Sequence, residues 1–234
     1  MDLKIRFNDI AEAELLRGGI TWNELFTFWH RAAMCRYCNQ AHLHAIDSKL
    51  GTTGRKDKLT KLVELGYFDR SDDLVYSVTP KTIKALGELD GYCTTLLQTR
   101  HQAEEARHQL RITDVLIKFI KRLDFFYAFY PNFEELIPDA CIILTDKMLG
   151  LLHIVFLEVE DEEARKDRDY LRDKWEKYYR IARTKTGNRQ TYDWWEGVAN
   201  LLKLPIPPEK NFSFQVCCFG KRKENWEGWV FQDI

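Results

Sequence analysis

The apolar positions of this chain recur at helical spacing in its first third and then change to short continuous runs. From Trp22 to about Tyr37 the spacing is helical, and the run opens at Thr21 with Glu24 three residues on, the arrangement of a capping box. A second short helix is predicted over Asn39 to Leu50. A third is predicted over Arg55 to Leu65, where Leu59, Leu62, Val63 and Leu65 form one apolar face. Gly66 stands where a glycine commonly closes a helix. Tyr67 to Arg70 and Leu74 to Val78 read as a β-hairpin around Ser71-Asp72-Asp73, and Thr79-Pro80 opens a further helix. Three helices, a hairpin and a helix predict a winged helix-turn-helix over residues 1–93.

The stretch from Thr94 to Leu123 is charged and helical in pattern, and is predicted to link two domains and to pack a helix on a following sheet. Two apolar runs come next, Ile137 to Leu144 and His153 to Glu160. Their β-branched and aromatic content predicts buried strands, joined by a turn around Thr145-Asp146-Lys147 and Gly150. Acidic residues from Glu160 to Glu163 suit a helix start. Ala164 to Ile181 then reads as a basic and aromatic helix, followed by a polar loop over Arg183 to Gln190 and a short helix near Trp194 to Leu204. Strands are predicted at Phe212 to Phe219 and Gly228 to Phe231. This order predicts a mixed sheet between helices over residues 94–234, so the fold class expected is α+β in the first part and α/β in the second.

Two carboxylates alter that bland picture. Asp139 and Glu158 sit inside the two apolar runs, where an ionised side chain is costly. If the strands pair, the two meet at one end of the sheet, and like charges are tolerated there mainly with a cation or a basic group between them.

With 234 residues the chain can bury a sizeable core, and a formal net charge of −1 gives no global attraction to nucleic acid. DNA contact must then come from local patches. Arg55, Lys56, Lys58 and Lys61 stand against Asp57 alone on the third helix, which in a winged unit enters the major groove while the hairpin, with Arg70, tracks the backbone. A solvated helix face and a protein-docking module are the other readings of the same charges. The six cysteines form no disulfide framework and suit a reducing cytoplasm. Neither a signal-peptide core nor a membrane-spanning run is present.

Cys35-x-x-Cys38 with His42 and His44 resembles part of a zinc site, although the segment reads as helix and turn, where buried cysteines are ordinary. His108 and Asp114 do not share a helix face. Trp175, Tyr178, Tyr179, Trp194 and Trp195 can stack on single-stranded bases, with core packing or a dimer surface the more common use of such aromatics.

The winged-helix half, His108-Gln109-Leu110 with Asp114-Val115, Pro138-Asp139-Ala140, Phe156-Leu157-Glu158-Val159-Glu160, and Lys174 before Tyr178-Tyr179 together resemble the replication-relaxation family of plasmid and mobile-element proteins. The resemblance covers about Thr21 to Phe219, and the second domain is similar to the restriction-endonuclease-like PD-(D/E)xK fold. It implies an accessory protein of plasmid or mobile-element replication that binds double-stranded DNA, with replication proteins or a second copy of the chain as partners. A Mg²⁺-dependent DNA nuclease is the first alternative, a dimeric transcriptional regulator the second, and no organic cofactor is expected.

Carried onto this sequence, the nuclease pattern matches Asp139 to its first acid and Glu158 to its second, while Glu160 stands where a lysine is usual. The acids would hold Mg²⁺, and a lysine would position water and stabilise the transition state. Lys174 on the next helix is the first choice for that lysine and Lys166 the second. Glu160 shares a strand face with Glu158 and is an alternative third metal ligand. In a domain that keeps the shape and binds DNA without cutting, Asp139 would cap a strand end, Glu158 would pair with Lys174 or Arg172, and Glu160 would start a helix.

Overall fold

Thr21 opens the first helix as its spacing predicts. Its hydroxyl oxygen accepts the Glu24 amide at 3.2 Å and its own amide donates to Glu24 Oε2 at 2.7 Å, satisfying two donors that a helix start leaves over. The backbone donor, followed by Lys49 and the Thr21 hydroxyl, holds the Glu24 carboxyl down at about 2. The computed structural model describes residues 20–51, 58–89, 93–97, 106–131, 136–146, 151–160, 169–206, 208–209, 212–220 and 225–232. The chain forms two compact units, residues 1–94 with 98–120, and residues 95–97 with 121–234. Among the described residues no helix is long and apolar enough to cross a membrane.

The first unit contains helices α1 (Trp22–Cys35), α2 (Gln40–Ile46) and α3 (Lys58–Glu64), strands β1 (Phe68–Arg70) and β2 (Tyr76–Val78), and helices α4 (Pro80–Gly87) and α5 (Ala106–Ile120). β1 and β2 pair antiparallel with Phe68 opposite Val78. Gly66 takes φ +74° just after α3, a conformation that favours glycine, and lets Tyr67 turn into the core. There Tyr67 stacks on Trp29 at 4.3 Å, beside the buried Leu59 and Leu62 of α3.

Between α1 and α2, Cys38 exchanges two backbone bonds with Tyr76, of 2.8 and 2.7 Å, a rung beside the hairpin that the sequence reading had not anticipated. α5 belongs to this unit rather than to the sheet it was expected to cover. Its Thr113 hydroxyl lies within hydrogen-bonding distance of the Cys35 and Tyr37 carbonyls, either of which can accept its one proton, and Asp114 meets His42 of α2. The two compact units divide near residue 120.

His30 on α1 is mostly buried. Burial pulls its imidazole from 6.5 down to about 4, against a hydrogen bond with the Cys93 backbone that works the other way. The unfolded chain takes up this proton before the folded one does, so stability present above the unfolded value is lost as pH falls. A loss of about 2–3 kcal/mol between those two values is expected. Urea unfolding of wild type and His30→Gln across the same range checks it, and the loss should shrink in the variant.

The second unit is built on one five-stranded mixed sheet in the order β3-β4-β5-β6-β7, formed by β3 (Phe125–Phe129), β4 (Ala140–Asp146), β5 (Leu151–Val159), β6 (Gln215–Phe219) and β7 (Trp229–Gln232). The first three strands are antiparallel and the last two run parallel to β5. Between β5 and β6 the chain forms α6 (Tyr170–Arg183) and α7 (Lys185–Leu202). These helices form the crossover that lets β6 run parallel to β5. β3 was absent from the sequence reading. The loop expected over Arg183 to Gln190 is instead the start of α7, because Thr184 caps it by accepting the Gly187 amide at 3.0 Å. Phe129, Phe156 and Trp194 pack together, with Trp195 fully buried nearby in sequence on α7.

Candidate functional site

Pairing of β4 with β5 brings the two strand carboxylates together. Ala140 lies opposite Leu157, and just outside that pair the Asp139 amide donates to the Leu157 carbonyl at 3.0 Å. Asp139 thus sits at the start of β4 beside the end of β5. Its Oδ2 accepts the Val159 amide at 2.6 Å, which fixes the carboxylate against the neighbouring strand.

Lys174 reaches this rim from α6. Its ammonium donates to Glu158 Oε2 and lies 3.8 Å from Asp139 Oδ1. Tyr178, one turn further along the same helix face, donates to Glu158 Oε1 at 2.8 Å. The phenol is held by the rings of Phe156 and Trp229, 5.8 and 5.5 Å away. Side-chain exposure is 2% for Glu158, 12% for Lys174 and 14% for Asp139, so the group is nearly dry yet open at the Asp139 and Lys174 end.

Burial first, and repulsion from Asp139 second, push the Glu158 carboxyl up to about 7 against the pull of Lys174 and Tyr178. Burial alone would lower Lys174, but the two carboxylates outweigh it and lift the amine above its ordinary range, so the ammonium stays charged. The Tyr178 phenol is raised well above its usual value by burial and by Glu158, and it remains a proton donor. At neutral pH one permanent cation therefore lies between a carboxylate and a carboxyl that can take up or release a proton.

Glu160 is placed differently from its neighbour two positions back. It lies just past β5, buried, with its amide bonded to the Phe219 carbonyl at 2.9 Å. A Cβ added to Gly220 would stand 2.5 Å from Glu160 Oε2, so this glycine leaves the room that the glutamate occupies. Among the described residues no group of three His, Cys, Asp or Glu side chains is arranged to hold a metal ion. Arg172 turns outward and pairs with Glu176 at 3.6 Å, which leaves Lys174 as the partner of Glu158. Lys166 lies outside the described residues.

Of the basic residues expected to meet DNA, Lys58 and Lys61 are half-buried on α3, each followed by a buried leucine, Leu59 and Leu62. Lys61 is near Glu64 at 3.6 Å. Arg70 ends β1 on the exposed side of the hairpin, next to Asp69 and a tip that carries Asp72 and Asp73. Arg55 and Lys56 lie outside the described residues.

Cys35 and Cys38 are both buried free thiols. Hydrogen bonding to Cys35 and then burial lift Cys38 well above the thiol range. His42 accepts the Asn39 amide on Nδ1 at 3.2 Å, so Nε2 carries the proton that it shares with Asp114 Oδ1 at 2.7 Å. That contact spans 72 positions and had no local sequence signal. Tyr178 was read for its aromaticity, and its donation to Glu158 depends on tertiary placement.

A scan against protein-family models finds no match for this chain, and neither do searches of curated proteins and of solved structures.

Proposed function

We propose that this chain is a DNA-binding protein of plasmid or mobile-element replication, with a winged helix-turn-helix first and a restriction-endonuclease-like unit that acts on the phosphodiester backbone second. The observation that carries the proposal is the pair Asp139 and Glu158 at the rim of a mixed sheet with Lys174 between them. A buried ion cluster contributes little stability compared with apolar side chains of the same volume, so its presence points to use. The order of three antiparallel strands, two helices and two parallel strands around it supports the endonuclease-like reading. For the first unit, support comes from α1 to α3, the hairpin, and the Cys38–Tyr76 rung between the first two helices. Lys58 and Lys61, half-buried on the flank of α3 beside Leu59 and Leu62, would meet phosphates.

The donor set fits Mg²⁺. Two carboxylates offer hard oxygens, and this ion takes one or two of them while water and phosphate complete its shell, so a third protein acid is not required. Bound there, Mg²⁺ would activate water and offset charge developing on the phosphate. Asp139 and Glu158 would hold it, the Val159 amide and the Tyr178 hydroxyl would keep each carboxylate in place, and Lys174 would face the scissile phosphate.

A second reading is favoured by one specific observation. Lys174 already neutralises the pair, so the same cluster serves in a unit that binds DNA without cutting it. Incubating supercoiled plasmid with the protein and Mg²⁺ separates the two, because cutting yields nicked circles and binding leaves the plasmid intact. A footprint at a replication origin supports the replication role, and one at a promoter would replace it with transcriptional regulation.

A further inference from the structure

We infer that Lys174 is a built-in cation that occupies the Asp139–Glu158 pair in place of a divalent metal, and that a metal has to displace its ammonium to bind. The inference rests on the metal-dependent reading above and concerns what competes for that site. The Lys174 Nζ bonds Glu158 Oε2 and lies 3.8 Å from Asp139 Oδ1, so the ammonium lies between the two carboxylates that would hold the ion. An ammonium and a divalent ion cannot share that space at close range without strong like-charge repulsion in a site this poorly hydrated.

The side chain has somewhere to go. Its ammonium is 5.3 Å from the centre of the Tyr170 ring, and Tyr170 is exposed at the start of α6. The face of an aromatic ring attracts such a cation. Movement toward Tyr170 opens the carboxylate pair while keeping the positive charge beside it, where a phosphate would bind. Divalent metal affinity is then set low in the resting protein, and DNA, by drawing the ammonium onto its phosphate, raises it.

The test is Mn²⁺ binding followed by calorimetry and by electron paramagnetic resonance, with wild type, Lys174→Gln, Lys174→Arg and Asp139→Ala as full-length chains. The account expects Lys174→Gln to bind Mn²⁺ at least tenfold tighter than wild type. Lys174→Arg, which keeps the charge, should stay near wild type, and Asp139→Ala should lose binding. Equal or weaker Mn²⁺ binding by Lys174→Gln, with wild type binding, overturns the inference and leaves the metal site standing. No Mn²⁺ binding by any variant overturns the metal reading itself. Should Lys174→Gln be unfolded without metal, recovery of its folded signal on adding Mn²⁺ supports displacement, and no recovery overturns it.

Discussion

Replacing Lys174 with methionine is expected to cost about 3–5 kcal/mol of stability near pH 8 in the presence of a chelator, because it leaves buried carboxylates without their cation. The stem of methionine fills most of the same space, so the loss is electrostatic rather than a cavity effect. Glu158 is 2% exposed and Asp139 14%, which leaves little water to take over the role of the ammonium. The protein's response to that loss is to protonate Glu158, whose carboxyl already stands at about 7. A raised carboxyl favours the folded state while it is neutral, and that contribution fades as pH rises from the unfolded value of 4.5 through about 7. Near pH 5 the cost should therefore shrink to about 1–2 kcal/mol, the scale of a lost hydrogen bond. Urea unfolding of both proteins at the two pH values measures this, and an equal loss at both would mean that Glu158 is not the group that adjusts.

The second large effect belongs to the first unit. Changing Lys58 and Lys61 together to alanine should weaken duplex binding about tenfold or more at physiological salt, and reduce the slope of log affinity against log salt by about two. Both residues are on α3 and only half-buried, and the buried Leu59 and Leu62 beside them are kept. Filter binding or fluorescence anisotropy over a salt series reads both quantities. An unchanged slope would remove α3 as the contact surface. The hairpin should contribute less than α3, since Arg70 shares it with exposed Asp69, Asp72 and Asp73.

Features set by a few neighbouring residues were legible in the sequence. Thr21 with Glu24, Asn39 at the start of α2, Gly66 after α3 and Thr79-Pro80 before α4 each act within one turn, and the structure has all of them at the helix ends expected. β4 and β5 were legible because continuous β-branched runs of that length have few other uses. β3 was missed because Phe125 to Phe129 is a short aromatic run at a sheet edge, with a register shift at Phe126 that breaks strand alternation. The start of α7 was missed because its residues are polar. Its support comes from the Thr184 cap and from Arg189, which pairs with Asp193 at 2.8 Å along the helix and with Glu209 at 3.0 Å beyond it.

The site followed the same division. Asp139 and Glu158 were conspicuous as charges in apolar strands, and pairing of those strands brings them together. Lys174 was chosen among several lysines of one helix without any means of telling which pointed inward, and the ring contacts that turn α6 toward the sheet come from Phe156, Phe214 and Trp229, remote in sequence. Tyr178 as the second donor to Glu158, and His42 with Asp114, depend on tertiary contacts of the same kind.

The most direct measurement is the conversion of supercoiled plasmid to nicked circles with Mg²⁺ or Mn²⁺, by wild type and by Glu158→Ala, each first shown to be folded and to bind duplex equally. The account predicts nicking by wild type and a fall of at least about a hundredfold in the variant, the scale expected when a principal electrostatic contact to the reacting group is removed. Intact plasmid with wild type in both metals, or equal nicking by the two proteins, would contradict it.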